Sequence, residues 1–164
     1  FDPSATVKSA VEMLQASAKE RGLTLRFHPD SSMPTEVLGD ANRFRQVTLN
    51  LVRNAIRFTD EGEIDVGLQV MESNEDGAEV ELSVRDTGIG IPESEIGRLF
   101  QPFVQLSDDP AQRRGGTGLG LSICKRIVDA MGGEIAVSSS MGEGSVFTVR
   151  VRFGVPAEER ATAV

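Results

Sequence analysis

Three segments of the sequence combine residue types and spacings that suit the binding of a nucleotide and its magnesium ion. In the first, Asn50, Asn54 and Arg57 stand at positions i, i+4 and i+7 of a predicted helix, so their side chains share one face. Mg²⁺ takes oxygen ligands, and an asparagine amide oxygen meets that need without adding negative charge beside phosphates. Polar surface positions are the alternative, although asparagine is a weak helix former and two in successive turns require a reason.

The second segment, Asp86–Pro92, follows a predicted strand and contains two glycines. A carboxylate at the end of a strand, such as Asp86, can accept a hydrogen bond from the exocyclic amine of adenine, whereas guanine has a carbonyl at that ring position. Gly88 and Gly90 would let the backbone pass close to a base or ribose. Taken alone, the same string is also compatible with an ordinary glycine turn after a strand.

The third segment, Gly115–Leu121, is rich in glycine and precedes an apolar helical pattern. A glycine-rich turn that leads into a helix presents several backbone N–H groups to an anion. No Lys-Ser/Thr pair follows the glycines, so this is not a Walker loop, and the glycine spacing differs from the dinucleotide-binding fingerprint. For this segment alone, a flexible linker and helix entry is the alternative.

Composition limits the functions that this chain can have. Its 164 residues suffice for one domain with a buried core, and its net charge of -8 argues against broad binding to nucleic acid. No apolar run approaches the roughly 20 residues that cross a bilayer, and the start of the chain lacks a signal-peptide core. We therefore expect a cytoplasmic domain without direct membrane contact. The single cysteine, Cys124, allows no internal disulfide and is expected to be a small core residue.

Hydrophobic periodicity and turn residues predict alternating helices and hairpin-joined strands. Helices are predicted at about Ser4–Glu20, Asp40–Phe58 with Asp40 as the cap, Glu93–Leu99 and Leu119–Met131. Strands are predicted at about Leu23–Phe27, Glu63–Val70, Glu79–Arg85, Glu134–Ser139 and Ser145–Phe153. Loops or turns are predicted at His28–Pro34, Ser73–Gly77, Gln105–Gly116 and Gly142–Gly144. Two consecutive hairpins favour a two-layer α/β sandwich, with helices on one face of a mixed sheet, over a doubly wound parallel sheet.

Five segments in this order resemble the catalytic and ATP-binding domain of sensor histidine kinases, in the superfamily that includes DNA gyrase, Hsp90 and MutL. The segments are Gln46–Thr59, Asp86–Pro92, Leu99–Phe103, Gly115–Leu121 and Gly142–Phe147. The resemblance covers residues 1–154 and implies their ATP-binding fold, the Bergerat fold, whereas residues 155–164 are predicted to be a tail or linker.

The resemblance assigns roles to individual residues. It implies that Asn54 is the principal magnesium ligand and that Asn50 lies beside the phosphates, reaching the metal directly or through water. Arg57, where the family usually has lysine, would contact phosphate with a fork of donors instead of a point charge. The implied catalytic residues are Asn50, Asn54 and Arg57. The implied nucleotide-contacting residues are Asn50, Asn54, Arg57, Asp86, Gly88, Gly90, Ile91, Phe103, Gly116, Thr117, Gly118, Leu119 and Gly120.

The resemblance also implies a mobile lid over the nucleotide. Phe100 and Phe103 would pack at its base, and the glycines within Gly116–Gly120 would form its hinge and a phosphate-facing turn. Arg113 and Arg114 lie in the lid and are candidates for contact with the γ-phosphate.

Two positions bear on what happens to the phosphate. Gln46 stands four residues before Asn50, where the gyrase-like ATPases have a glutamate that activates water, and an amide cannot act as that base. The only histidine, His28, lies at a predicted strand end beside Pro29 and not on a helix, so we interpret it as a structural or surface residue.

The resemblance therefore implies an ATP-dependent protein histidine kinase domain that uses Mg²⁺ and transfers the γ-phosphate to a histidine outside this chain. Its expected partners are a helical hairpin dimerisation and phosphoacceptor domain and, downstream, the receiver domain of a response regulator. Three alternatives stay open: a nucleotide-sensing interaction module without phosphotransfer, a serine kinase of the same superfamily, and a dimerising ATPase, which Gln46 disfavours.

Overall fold

The computed structural model describes residues 1–104 and 120–157, which form a mixed sheet with helices packed against it. The strands are β1 Thr24–Pro29, β2 Glu63–Asn74, β3 Gly77–Asp86, β4 Glu134–Ser140 and β5 Gly144–Phe153. The helices are α1 Pro3–Glu20, α2 Ala41–Phe58, α3 Glu93–Ile96 and α4 Gly120–Ala130. Among these residues, no helix has both the length and the apolar character needed to cross a bilayer.

The sheet has the strand order β1-β2-β3-β5-β4. β1 and β2 are parallel, and the remaining neighbours are antiparallel. A parallel pair needs a crossover, which the segment containing α2 supplies, whereas the β2–β3 and β4–β5 pairs are hairpins. The predicted two-layer α/β sandwich with a mixed sheet is therefore confirmed.

The core lies between the sheet and helices α1, α2 and α4. Alternate residues of β3, Val80, Leu82 and Val84, are buried on the helix side, because successive strand side chains point to opposite faces. Phe44 and Leu51 of α2 are also fully buried, so α2 packs one side against the sheet. The opposite side of α2 is left for polar residues.

Local capping determines where the two long helices begin. Asp2 accepts a hydrogen bond from the backbone N–H of Ala5 at 3.0 Å, and Asp40 accepts one from that of Arg43 at 3.1 Å. Each carboxylate satisfies a backbone donor that the first turn leaves without an intrahelical partner. The predicted cap at Asp40 is confirmed.

Strands β1, β2 and β3 extend beyond their predicted ends. His28 and Pro29 were predicted to open a loop, but they pair with β2 and end strand β1. A proline is tolerated there because β1 is an edge strand. In the β2–β3 hairpin, Asn74 pairs with Gly77, so the turn is narrower than predicted. In both cases the pairing partner decides where the strand ends.

The remaining boundaries differ in smaller ways. The third helix ends at Ile96 and not at Leu99. Val155 is 6% exposed and belongs to the core, although the sequence placed it in the tail. The predicted loop Gln105–Gly116 and residues 158–164 lie outside the described residues.

Candidate functional site

Helix α2 presents the predicted polar face. Asn50, Asn54 and Arg57 are all half-buried, whereas Leu51 and Ala55, one position further along, are buried in the core. The strong apolar packing on one side of α2 therefore turns the three polar side chains toward its other, more open side. The structure brings these predicted site residues together on one helical surface.

Helix α4 packs against α2 beside this polar face. Cys124 of α4 is fully buried, and its Sγ lies 3.9 Å from the backbone oxygen of Val47. Burial raises the pKa of the Cys124 thiol to about 12, and the neighbouring Asn50 side chain opposes this only in part. Cys124 is thus a neutral core thiol, as predicted.

Asp86 ends strand β3 and is only 6% exposed. One of its carboxylate oxygens accepts a hydrogen bond from the backbone N–H of Gly88 at 2.9 Å. Burial raises the pKa of Asp86, and the backbone N–H groups of Gly88 and Ser145 oppose that shift. These donors use only part of the acceptor capacity of a carboxylate, so a ligand amine could be bound as well.

Gly88 lies in close contact with both the end of α2 and the side chain of Asp86. A Cβ at this position would collide with the backbone oxygen of Phe58, and it would lie 2.9 Å from both Asp86 Oδ1 and Thr59 Oγ1. Glycine is required here because the backbone passes close to the end of α2. From the sequence, we had expected the glycine to let the backbone pass close to a ligand. The adenine-binding candidate Asp86 therefore lies close to the end of the helix that carries the polar face.

Gly90 and Ile91 connect the same loop to the β4–β5 hairpin. Gly90 has a φ of 75°, and a Cβ there would collide with the backbone oxygen of Ser140. Ile91 is buried in the core, and its N–H donates to Ser139 Oγ at 2.8 Å. Ile91 therefore attaches the loop to the hydrophobic core.

Three hydroxyl residues at this junction were not singled out as site residues from the sequence. Ser139 Oγ lies 2.8 Å from Ser145 Oγ, and Thr59 is fully buried, with its hydroxyl donating to the backbone of Ala55 at 2.7 Å. Thr59 and Ser145 each stand inside a segment that carries the family resemblance. Their place in those segments could have marked Thr59 and Ser145 as residues near the site. Ser139 lies outside the segments, so the sequence offered no such signal for it.

The two phenylalanines predicted at the lid base differ. Phe100 is half-buried and packs edge-to-face on Phe147, with ring centroids 6.5 Å apart. Phe103 has a φ of 63° and is 75% exposed. Packing is observed for Phe100, whereas the prediction that Phe103 packs is wrong, because this residue is 75% exposed. The position of both residues at the base of a lid stays a prediction, because the lid segment lies outside the described residues.

Of the third glycine-rich segment, Gly115–Leu121, the structure describes only Gly120 and Leu121. Gly120 is the first residue of α4, and a Cβ there would have no neighbour within 4 Å. The other predicted residues of this segment, Gly116, Thr117, Gly118 and Leu119, lie outside the described residues, as do Arg113 and Arg114.

Gln46 lies on helix α2, whereas His28 lies on the edge strand β1. Gln46 Oε1 accepts a hydrogen bond from the Arg43 guanidinium at 3.4 Å, on the helix that carries the asparagines. His28 lies on the edge strand, where its Nε2 is 2.8 Å from Asp65 Oδ1 and its side chain is 59% exposed. This position agrees with the interpretation of His28 as a surface residue.

The donors on α2 suit a magnesium ion bound together with phosphates. The described residues include no group of three or more His, Cys, Asp or Glu side chains arranged to hold a metal. The candidate protein donors are the amide oxygens of Asn50 and Asn54. Mg²⁺ commonly takes few protein ligands and completes its shell with phosphate oxygens and water, so this donor set fits.

Comparisons with known proteins agree with this architecture. The family described as histidine kinase-, DNA gyrase B- and HSP90-like ATPase matches residues 39–155. Histidine kinase 5 of Arabidopsis thaliana is 41% identical over 169 residues, which cover 90% of this chain and 18% of that protein. The signal transduction histidine-protein kinase BarA of Escherichia coli K12 is 41% identical over 147 residues, which cover 90% of this chain and 16% of that protein.

Solved structures show the same fold. Full-length ShkA in complex with AMPPNP superposes with a TM-score of 0.82 at 31% identity, covering 96% of this chain and 31% of that one. The catalytic domain of histidine kinase ThkA superposes with a TM-score of 0.76 at 28% identity, covering 93% of this chain and 92% of that one. The chain therefore belongs to the histidine kinase-, DNA gyrase B- and HSP90-like ATPase family and, within it, to the catalytic domains of histidine kinases.

Proposed function

We propose that this domain binds Mg²⁺·ATP and transfers the γ-phosphate to a histidine on a separate helical domain in two-component signalling. The observation that carries the proposal is the junction at Gly88, which holds the buried Asp86 carboxylate against the end of the helix bearing Asn50 and Asn54. This closeness supports the proposal that an adenine acceptor and a set of amide oxygens serve one site. The ShkA structure with a bound ATP analogue supports the same assignment.

Each end of the site would bind a different part of ATP. Asp86 would accept a hydrogen bond from the adenine amine, which guanine cannot offer at that position. Asn54 would bind the metal, Asn50 would lie beside the phosphates and Arg57 would contact a phosphate oxygen. Mg²⁺, when bound, supplies positive charge that offsets the charge on the phosphates. The protein would act mainly by positioning, as is usual for phosphoryl transfer.

The surroundings of Gln46 favour transfer over hydrolysis. Its side chain is an amide that accepts a hydrogen bond from Arg43, and an amide cannot take a proton from water as a general base. Water near the γ-phosphate would therefore lack an activating group at this position. A histidine brought by a partner needs no such base, since its neutral ring nitrogen is already nucleophilic.

The partners belong to the longer proteins in which such domains occur. The chain spans 16–18% of the length of the two curated relatives described above. We propose a helical hairpin phosphoacceptor domain as the direct partner and a receiver domain as the later acceptor. We also propose a cytoplasmic location, where ATP is available.

Calorimetric titration tests the binding half of the proposal. The chain is titrated with AMPPNP and Mg²⁺, and in parallel with the corresponding guanine nucleotide. We expect saturable binding of the adenine nucleotide only. Absence of binding at millimolar ligand would contradict the proposal.

Phosphotransfer is tested by adding the hairpin domain and [γ-³²P]ATP. Acid-labile, alkali-stable label on the hairpin histidine is expected. If the domain binds Mg²⁺·AMPPNP but no label is transferred, the nucleotide-sensing interaction module becomes the better description. Label on serine would instead favour the serine kinase.

A further inference from the structure

Three polar side chains form a cross-strand row at the adenine end of the candidate site. Ser139 of β4 is paired with Ser145 of β5, and Ser145 is paired with Asp86 of β3. Residues directly opposite each other on neighbouring antiparallel strands point to the same face of a sheet. Ser145 and Asp86 are each 6% exposed, and Ser139 is half-buried. The row therefore runs from the proposed adenine acceptor to the edge strand β4.

The hydroxyl of Ser139 has its full hydrogen-bonding capacity occupied. Its Oγ accepts a hydrogen bond from the N–H of Ile91 at 2.8 Å, and the hydroxyl donates to the backbone oxygen of Gly144 at 2.9 Å. Its third contact is with Ser145 Oγ at 2.8 Å. A serine hydroxyl has one proton and two acceptor lone pairs. Because Ser139 donates its proton to Gly144, the hydrogen bond between the two serines is donated by Ser145.

The direction of this hydrogen bond decides what the Ser145 hydroxyl can offer to a ligand. With its proton directed at Ser139, Ser145 Oγ has only acceptor lone pairs left. Its cross-strand neighbour, the carboxylate of Asp86, is also an acceptor when ionised. An amine, such as that of adenine, can donate to these acceptors directly or through a water molecule, whereas the carbonyl of guanine cannot.

We propose that Ser139 is a positioning residue for base selection, which holds the Ser145 proton away from the nucleotide and ties the loop after Asp86 to the β4–β5 hairpin. The inference rests on the proposed function, because it concerns the same site. Without the Ser139 hydroxyl, Ser145 could rotate and donate to a carbonyl, and the N–H of Ile91 would lose its acceptor.

Substitutions at three serines separate this role from packing. Ser139→Ala removes the hydroxyl, Ser139→Thr retains it, and Ser138→Ala, at the exposed neighbouring position on the opposite face of the strand, is the matched control. Each variant is titrated with AMPPNP and Mg²⁺, and its affinity for the guanine analogue GMPPNP is measured by displacement of AMPPNP. Thermal melting without ligand monitors the fold. Ser145→Ala tests the same selectivity if Ser139→Ala does not fold.

We expect Ser139→Ala to bind Mg²⁺·AMPPNP about fivefold more weakly, the effect of one lost neutral hydrogen bond, with no loss of affinity for GMPPNP. The preference for adenine should therefore narrow about fivefold or more. Ser139→Thr should keep the preference within about twofold of that of the unsubstituted chain, and Ser138→Ala should leave it unchanged. In a Ser145→Ala background, Ser139→Ala should narrow it no further, because the hydroxyl that it orients is absent.

Other outcomes overturn the inference. Equal weakening of both nucleotides by Ser139→Ala would show that the residue acts through packing alone. A threonine variant that behaves like the alanine variant would exclude the hydroxyl as the cause, and an unchanged preference in Ser145→Ala would exclude Ser145 as the group that is oriented. If the unsubstituted chain selects AMPPNP and Ser139→Ala matches it, only the positioning role fails. If the unsubstituted chain does not bind AMPPNP, the proposed function fails, and this inference fails with it.

Discussion

The two ends of the candidate nucleotide site are built in different ways. At the adenine end, Asp86 is buried, and the backbone N–H of Gly88 donates a hydrogen bond to its carboxylate. At the phosphate end, Asn50 and Asn54 are half-buried side chains on one face of a helix. The first end is organised by the backbone and the second by side chains.

This difference suggests a division of labour. A backbone-held carboxylate is rigid and can select a base before any metal is present. Side chains on an open helical face need a metal and phosphates to complete their coordination. We therefore expect substitutions at the phosphate end to affect phosphotransfer most, and substitutions at the adenine end to affect selectivity and stability.

The largest effect is expected from Asn54→Ala at the phosphate end. Loss of the principal metal ligand should reduce phosphotransfer in a complete kinase by about 100-fold or more, since metal charge stabilisation amounts to several kcal/mol. The measurement is ³²P transfer to the hairpin domain. Asn42→Ala, an exposed asparagine on the first turn of the same helix, is the matched control. Full activity of Asn54→Ala would refute the assignment.

Asp86→Asn tests the adenine end and should weaken AMPPNP binding about 10- to 100-fold, the effect of losing a charged hydrogen bond. Its effect on stability should be different. Because the folded-state pKa of Asp86 is raised, this group stabilises the fold at acidic pH, and that contribution is lost as pH rises through the folded pKa.

The asparagine variant should therefore be no less stable than the unsubstituted chain at pH 7. Any gain in its free energy of unfolding should disappear below pH 3.8, which is the pKa of an unperturbed aspartate. Urea unfolding at both pH values measures this. A large loss of stability at neutral pH would mean that the carboxylate is mainly structural.

Gly88→Ala tests the junction between the two ends. A methyl group would collide with Phe58 and crowd Thr59, so we expect a loss of about 2 kcal/mol in the free energy of unfolding. Nucleotide affinity should fall as well, because both ends shift relative to one another. Gly97→Ala is the control, since a Cβ there has no neighbour within 4 Å. Equal stability of the two variants in urea unfolding would argue against a tight junction.

The smallest effect is expected from Arg57→Lys. Both residues supply one positive charge to phosphate, and the side chain is half-buried on a helical face, so AMPPNP affinity should change by about twofold or less. Calorimetric titration measures the change, with Arg57→Ala as the comparison that removes the charge. A loss as large as that of the alanine variant would show that the guanidinium fork itself is required.

Much of the fold could be predicted because its signals are local. The alternation of Val80, Leu82 and Val84 indicated a strand, and Asp40 indicated a helix start, since both patterns depend on neighbouring residues. The ends of β1 and the β2–β3 turn were misplaced. Those boundaries depend on whether a partner strand continues, and the partner is distant in the sequence.

The candidate site divides in the same way. Asn50, Asn54 and Asp86 could be proposed as candidates from residue type and spacing, and the resemblance of five ordered segments to a known family then assigned their roles. Thr59 and Ser139 could not, since a hydroxyl has many ordinary uses in turns and strands. Their importance depends on which backbone groups surround them.

The sequence by itself determined most of the elements, the sandwich architecture and the candidate residues for binding a nucleotide, because periodicity and chemical type are properties of short segments. Only the tertiary structure decided that Gly88 is required by the end of α2, that Phe103 is exposed and that Cys124 packs against the backbone of Val47. Contacts between distant segments depend on how complete elements pack, and no local pattern records the neighbours that packing supplies.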